Sequence, residues 1–240
     1  VKIVSKNWIL SNLKSSLKTS TSVSATVKSI VEDIKKNGDR AVLKYVKKFE
    51  NSKATIKNIK LSKQVLKSAY NSISKQDKEA LKMAYRRIHY YHSKQKKAPY
   101  SYNDKLDTKF YIQWNPIDNV GLYIPGGMAS YPSTVLMTTI PAKIANVPNI
   151  MLCVPSKNGI TSNLTLAAAH LCGVDHVYNI GGAQAIAAFA YGTKIIKKAD
   201  KVFGPGNQFV AEAKKQLFGT IGIDLPAGPS EVLVIANSKS

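Results

Sequence analysis

Apolar positions in the first hundred residues recur at three- and four-residue spacing, the period of helices with one buried face. Val23, Val27, Ile30, Val31 and Ile34 form one such stripe, which stops at Asn37-Gly38, a composition suited to a left-handed helix end. Asp39 is placed to cap the next helix, whose inner face would carry Ala41, Val42, Tyr45, Val46 and Phe49. A third helix is expected from Ser62, burying Val65, Leu66, Ala69 and Ile73. A fourth carries Ala80, Leu81, Ala84, Ile88 and Tyr91 and ends before Pro99, because the residue ahead of a proline avoids helical geometry.

Around Asn103 the pattern changes to short apolar runs punctuated by glycine and proline. Strands are expected at 110–114, 120–124, 149–154 and 176–180, the last three each followed by a glycine- or proline-containing loop and a helix-like segment. That βα alternation predicts an α/β fold: a Rossmann-like, mainly parallel sheet with helices on both faces, preceded by a helical amino-terminal region. The division expected is residues 1–105 as that helical region and 106–240 as the Rossmann-like unit. The unit would close with strands at 221–225 and 231–236, joined by a turn too short for a helical crossover.

Composition alters this picture little. The 44% hydrophobic content suits a globule with a real core, and no run of 18 apolar residues exists to span a bilayer. With no secretory signal pattern either, the simplest location is cytoplasmic. Cys153 and Cys172 lie in apolar contexts without CxxC spacing, which reads as reduced thiols. A formal charge of +21 points on its face to nucleic acid or a membrane surface. Yet only Arg40, Arg86 and Arg87 carry a guanidinium among 35 basic residues, and the lysines are dispersed. Phosphate and base recognition lean on arginine's planar fork, so a solvated lysine coat is favoured over a basic nucleic-acid-binding fragment, which stays as the rival reading.

Candidate chemistry gathers in four loops where strands should end: Tyr123-Ile124-Pro125-Gly126-Gly127, Gly181-Gly182-Ala183-Gln184, Gly204-Pro205-Gly206-Asn207, and the proline-rich turn at Ser230-Glu231. Glycine allows close backbone approach, and a bare amide at a helix start suits a phosphate; Gly182 and Gly206 precede expected helices in this way. Gln184 and Asn207 can both donate and accept hydrogen bonds, as a ribose or nicotinamide amide requires, and Tyr123 adds a ring face and a hydroxyl. For any single loop the plainer reading is a glycine that merely ends an element. Neither GxGxxG after a strand nor GxxxxGK[ST] occurs.

Several blocks, in order, resemble the histidinol dehydrogenase family: Val120-Gly-Leu-Tyr-Ile-Pro-Gly-Gly127, Ser133-Thr-Val-Leu-Met137, Asn179-Ile-Gly-Gly-Ala-Gln-Ala185, Phe203-Gly-Pro-Gly-Asn207 and Asp224-Leu-Pro-Ala-Gly-Pro-Ser-Glu-Val-Leu-Val234. The resemblance reaches back to Lys36-Asn37-Gly38-Asp39 and to His92 near Gln95. It implies NAD-dependent oxidation of histidinol through an aldehyde to histidine, with a bound zinc and a homodimeric assembly. It implies NAD contacts at Tyr123, Gln184 and Asn207, and a substrate contact at Ser230, where the residues alone offer only a hydroxyl in a rigid turn. The family's zinc ligands and its Glu-His acid/base pair lie in blocks beyond the Pro-Ser-Glu segment. The expectation is therefore that this chain holds no catalytic residue or metal ligand, and that 240 residues alone are inactive.

The remaining candidates read as surface, edge or packing residues. His89 and His92 share a helical i, i+3 spacing but lack a nearby carboxylate or thiol as a third ligand. His170 lies in an alanine-rich helix and His176 opens a strand. Cys153 precedes a strand-end loop, where a thiol could attack an aldehyde, but nothing near it in sequence would lower its pKa.

Overall fold

A computed structural model of the protein describes the backbone of residues 6–126 and 130–225, and side chains from residue 22 on. The expected strand at 231–236 and Ser230 therefore lie outside the described residues. Helices α1 (Lys6–Asn37) and α2 (Asp39–Phe49) come first, then α3 (Ile56–Ile59), strand β1 (Lys60–Leu61), α4 (Lys63–Ser72) and α5 (Lys75–Ser93). A hairpin of β2 (Tyr100–Asn103) and β3 (Lys109–Ile112) follows. The alternating part runs β4 (Asn119–Tyr123), α6 (Pro132–Ile144), β5 (Asn149–Cys153), α7 (Asn163–Leu171), β6 (His176–Tyr178), α8 (Gly182–Tyr191), β7 (Lys201–Phe203), α9 (Gln208–Leu217) and β8 (Gly222–Ile223).

Ser62 caps α4 as its position suggested, accepting from the Val65 amide at 3.3 Å. Asp39 does not cap α2. Gly38 fills that place, donating its N–H to the Ile34 carbonyl and accepting from Val42, so one glycine both closes α1 and opens α2. The Asp39 carboxylate instead accepts from the Ile195 amide at 3.4 Å. The strand expected at 110–114 exists as β3, but it pairs antiparallel with β2 and stands outside the main sheet. Its Phe110 ring stacks on Tyr102 at 5.1 Å, and the hairpin's side chains are mostly exposed.

The main sheet has six strands in the order β1-β6-β5-β4-β7-β8. Strands β4 to β8 are mutually parallel; β1 joins the edge antiparallel to β6. Counted from β4, the parallel strands lie 3-2-1-4-5, so the winding direction reverses between β4 and β7. With right-handed crossovers, that reversal sends α6 and α7 to one face and α8 and α9 to the other.

Both faces are buried, which is why the strands read as unbroken apolar runs. Val120, Leu122, Ile150, Leu152 and Val177 point to the core shared with α4 to α7. Tyr123, Met151, Cys153 and Tyr178 point to the core shared with α1, α2, α8 and α9. Helices from before residue 105 thus cover sheet strands from after it, α1 against α8 and α9, and α4 against α7. The compositional break near Asn103 marks the hairpin and the start of the parallel strands, while the packing runs across it. Helix α8 is buried on every side from Ala183 to Ala190, and its five alanines in that span let it lie close to the strands.

Candidate functional site

Open α/β sheets bind ligands outside the carboxyl ends of their strands, where the winding reverses. At that edge the loops after β4, β5, β6 and β7 surround a cleft of about 600 Å³, roofed by Thr26 and Ile30 of α1 and by the end of α2. Its volume falls within the range of small-molecule and cofactor pockets. Tyr123, Gln184 and Asn207, drawn from three different βα junctions, all line it.

Tyr123 ends β4 and is 3% exposed, so its ring belongs to the core and offers no open face for stacking. Its hydroxyl is the working part. It accepts a hydrogen bond from the Gly182 amide at 3.1 Å, and burial, aided by the charge of Glu50, pushes the phenol above its ordinary range. The group therefore stays protonated at neutral pH, and its own proton has no acceptor among the described residues.

Gln184 lies in the first turn of α8, 2% exposed, with Nε2 donating to Glu50 Oε1 at 3.3 Å. Its Oε1 has no donor among the described residues. Asn207 is the N-cap of α9: its Oδ1 accepts from Phe209 and Val210 amides at 3.1 and 3.2 Å, which leaves Nδ2 as the available donor.

These bonds revise one expectation. Of the two glycines expected to offer bare amides, Gly182 does not, because a protein acceptor already meets its N–H. Gly181 N–H donates to Glu50 Oε1 at 2.8 Å, Gly182 N–H goes to Tyr123, and the α9 amides go to Asn207.

Glu50 escaped the sequence reading. It is the C-cap of α2, where the helix dipole opposes a negative charge, yet its side chain reaches the amino terminus of α8, where the dipole favours one. Oε2 accepts from the Ser156 amide at 3.0 Å while Oε1 serves Gly181 and Gln184. Burial is the largest influence and raises its pKa; the three hydrogen bonds pull the other way. The signal available in the sequence was an acidic residue closing a helix that ends in Lys47-Lys48.

The loop after β7 is fixed from below. Lys214, 5% exposed, donates to the Gly204 carbonyl and to Asp224 Oδ1, both at 2.5 Å, while Asp224 Oδ2 accepts from Gly204 N–H at 2.8 Å. Gly204 has φ 117°, and a Cβ there would strike the Tyr123 carbonyl, so only glycine allows this loop to pass beside β4.

The other candidates fall elsewhere. Cys153 is wholly buried and burial raises its pKa, as it does for Cys172, pushed up to about 12, so neither offers a thiolate at neutral pH. His89 stacks on Tyr85, His92 bonds Gln95 at 2.7 Å and His170 lies against Tyr70. His176 opens β6, and burial depresses its pKa. Among the described residues no three His, Cys, Asp or Glu side chains gather as a metal site, so the zinc implied by the resemblance finds no fitting donor set there. Among those residues no helix is long and apolar enough to cross a membrane.

Fold and cleft together define an α/β protein of the Rossmann-like class, with a cleft at the switch point of its sheet. The histidinol dehydrogenase family model matches residues 13–240, and the chain belongs to that family. It is 47% identical over 207 residues to histidinol dehydrogenase of Aromatoleum aromaticum, covering 86% of this chain and 47% of the relative. The Acinetobacter baylyi relative is 46% identical over 211 residues, covering 88% and 49%. The crystal structure of histidinol dehydrogenase from Elizabethkingia anophelis superposes with a TM-score of 0.81 at 40% identity, over 86% of this chain and 48% of that one. The chain spans about half the length of the curated relatives it matches and corresponds to their amino-terminal portion.

Proposed function

We propose that the cleft at the β4/β7 switch point binds NAD, and that the chain is the nucleotide-binding portion of an enzyme oxidising histidinol through histidinaldehyde to histidine. One observation carries the reading: Tyr123, Gln184 and Asn207 line the same cleft although 84 residues of chain separate the first from the last. The ligand groups they fit are neutral and polar. The Tyr123 hydroxyl and Asn207 Nδ2 are donors without an acceptor among the described residues, and Gln184 Oε1 is an acceptor without a donor. A nicotinamide carboxamide and ribose hydroxyls present the complementary set. When bound, NAD supplies the hydride acceptor for oxidising an alcohol carbon.

Within this proposal residues 106–240 form the nucleotide-binding unit, with the helices of residues 1–105 as its cover. Ser230 is the proposed contact to the amino alcohol. Zinc and a two-fold partner belong to the proposal through the family alone, and no step is derived through the metal.

Calorimetric titration of NAD into the 240-residue protein tests the reading. Binding should be seen, and Q184A and N207A should each weaken it about tenfold, the worth of one ligand hydrogen bond. Wild-type affinity in both variants, or no binding by the unaltered chain, would overturn it.

A further inference from the structure

Among the described residues Glu50 is the one carboxylate lining the cleft, and it is half-buried. No cation pairs with it among the described residues. Its acceptors are spent on three partners from two loops: the amide of Ser156 after β5, and the amide of Gly181 and side chain of Gln184 after β6. Those partners lie 106, 131 and 134 residues away in sequence. Its own backbone joins in, since the Glu50 carbonyl accepts from the Asn158 amide at 2.9 Å.

A helix amino terminus with free amides is a ready anion site, and a dinucleotide's phosphates would ordinarily take it. Here a protein anion is already in place. We propose that Glu50 is the positioning residue of the cleft: an internal carboxylate standing at the start of α8 in the place of a ligand phosphate, which thereby holds Gln184 and the loops after β5 and β6 in binding geometry. This rests on the nucleotide reading and deepens it. The bound dinucleotide must lay its phosphates away from the Ser156 and Gly181 amides, leaving the neutral, amide-bearing part of the ligand for Gln184.

The experiment compares E50A, E50Q and E50D with the unaltered chain in three measurements: NAD affinity by calorimetry, amide hydrogen exchange at Ser156 and Gly181, and thermal unfolding with and without inorganic phosphate. E50A and E50Q should bind NAD at least about tenfold more weakly, the loss of a charge-assisted hydrogen bond. Exchange at both amides should quicken while the Phe209 and Val210 amides of α9 keep their rates. E50D, which retains the charge, should restore part of both properties. Inorganic phosphate should raise the unfolding temperature of E50A, whose amides are uncovered, and leave the unaltered chain where it was. Unchanged exchange at Ser156 and Gly181 in E50A and E50Q overturns the proposal. So does acceleration spread evenly over the sheet and α9, which would make Glu50 a general stabiliser. Failure of the nucleotide reading looks different: the unaltered chain would ignore NAD, while the exchange and phosphate measurements would still decide the role of Glu50.

Discussion

The amino termini of α8 and α9 both open onto the cleft, and both leave backbone N–H groups in need of acceptors. At α9 the answer is local. Asn207 meets the amides two and three residues ahead, and Lys214, ten residues from both Gly204 and Asp224, holds the loop beneath. At α8 the acceptors come from afar, Tyr123 at the end of β4 and Glu50 at the end of α2. A locally satisfied terminus can form with its own helix, whereas the α8 terminus is complete only once two other elements, β4 and α2, have docked. The difference places the integrity of the cleft on the α8 side and its mechanical support on the α9 side.

Three measurements probe that contrast. The largest effect is expected from D224A, which leaves the buried Lys214 ammonium without its carboxylate. Stranding a buried charge costs about 3–5 kcal/mol, and the lower end applies because Asp224 is 27% exposed. Urea unfolding should register that loss; a change under about 1 kcal/mol would mean that the β7 loop is held by other contacts. Next comes N207A, expected to cost about 1 kcal/mol for the lost cap. N207D should keep the cap, since Oδ1 survives, and yet weaken NAD by removing the Nδ2 donor. If N207D binds NAD as well as the unaltered chain, Asn207 is a cap and nothing more.

The smallest effect is a slope. Burial raises the Glu50 pKa above its ordinary 4.5, so the folded protein holds that proton more tightly than the unfolded chain. Its contribution to stability is full below 4.5 and is lost as pH climbs through the raised folded value. Stability of the unaltered chain should therefore fall over that window relative to E50Q, whose amide does not titrate. Unfolding of the two proteins followed across that range gives the difference, and parallel curves would place Glu50 in water. The α9 terminus, capped by an amide, contributes no such slope.

The same contrast separates what was legible in the sequence from what was not. Ser62 announced α4 because a cap and its helix are neighbours, and the parallel strands were readable because burial on both faces leaves uninterrupted apolar runs. The role of Asn207 was half legible: its polarity suggested a ligand contact, although an asparagine just ahead of a helix is also a cap signal. Asp39 misled because Gly38 next to it serves both helices. Strands β1 and β7 were missed for brevity, two and three residues, with only one residue buried in β7. Glu50 was marked in the sequence only as an acidic residue closing a lysine-rich helix end, and its partners lie more than a hundred positions away, where nothing in the residues around it encodes them.

The edge strand β1 sets an order of events during synthesis. Lys60 and Leu61 find their neighbours only at Tyr178 and Val177, and Ser24 of α1 meets Gln216 of α9 across 192 residues. The leading helices emerge from the ribosome long before the surfaces that bury them exist, and contacts so distant in sequence slow the search for the native state. Until α8 and α9 have both been made, Val27, Ile30 and Ile34 lack their full native cover, and for that interval the nascent chain displays a sticky face of the kind that chaperones hold.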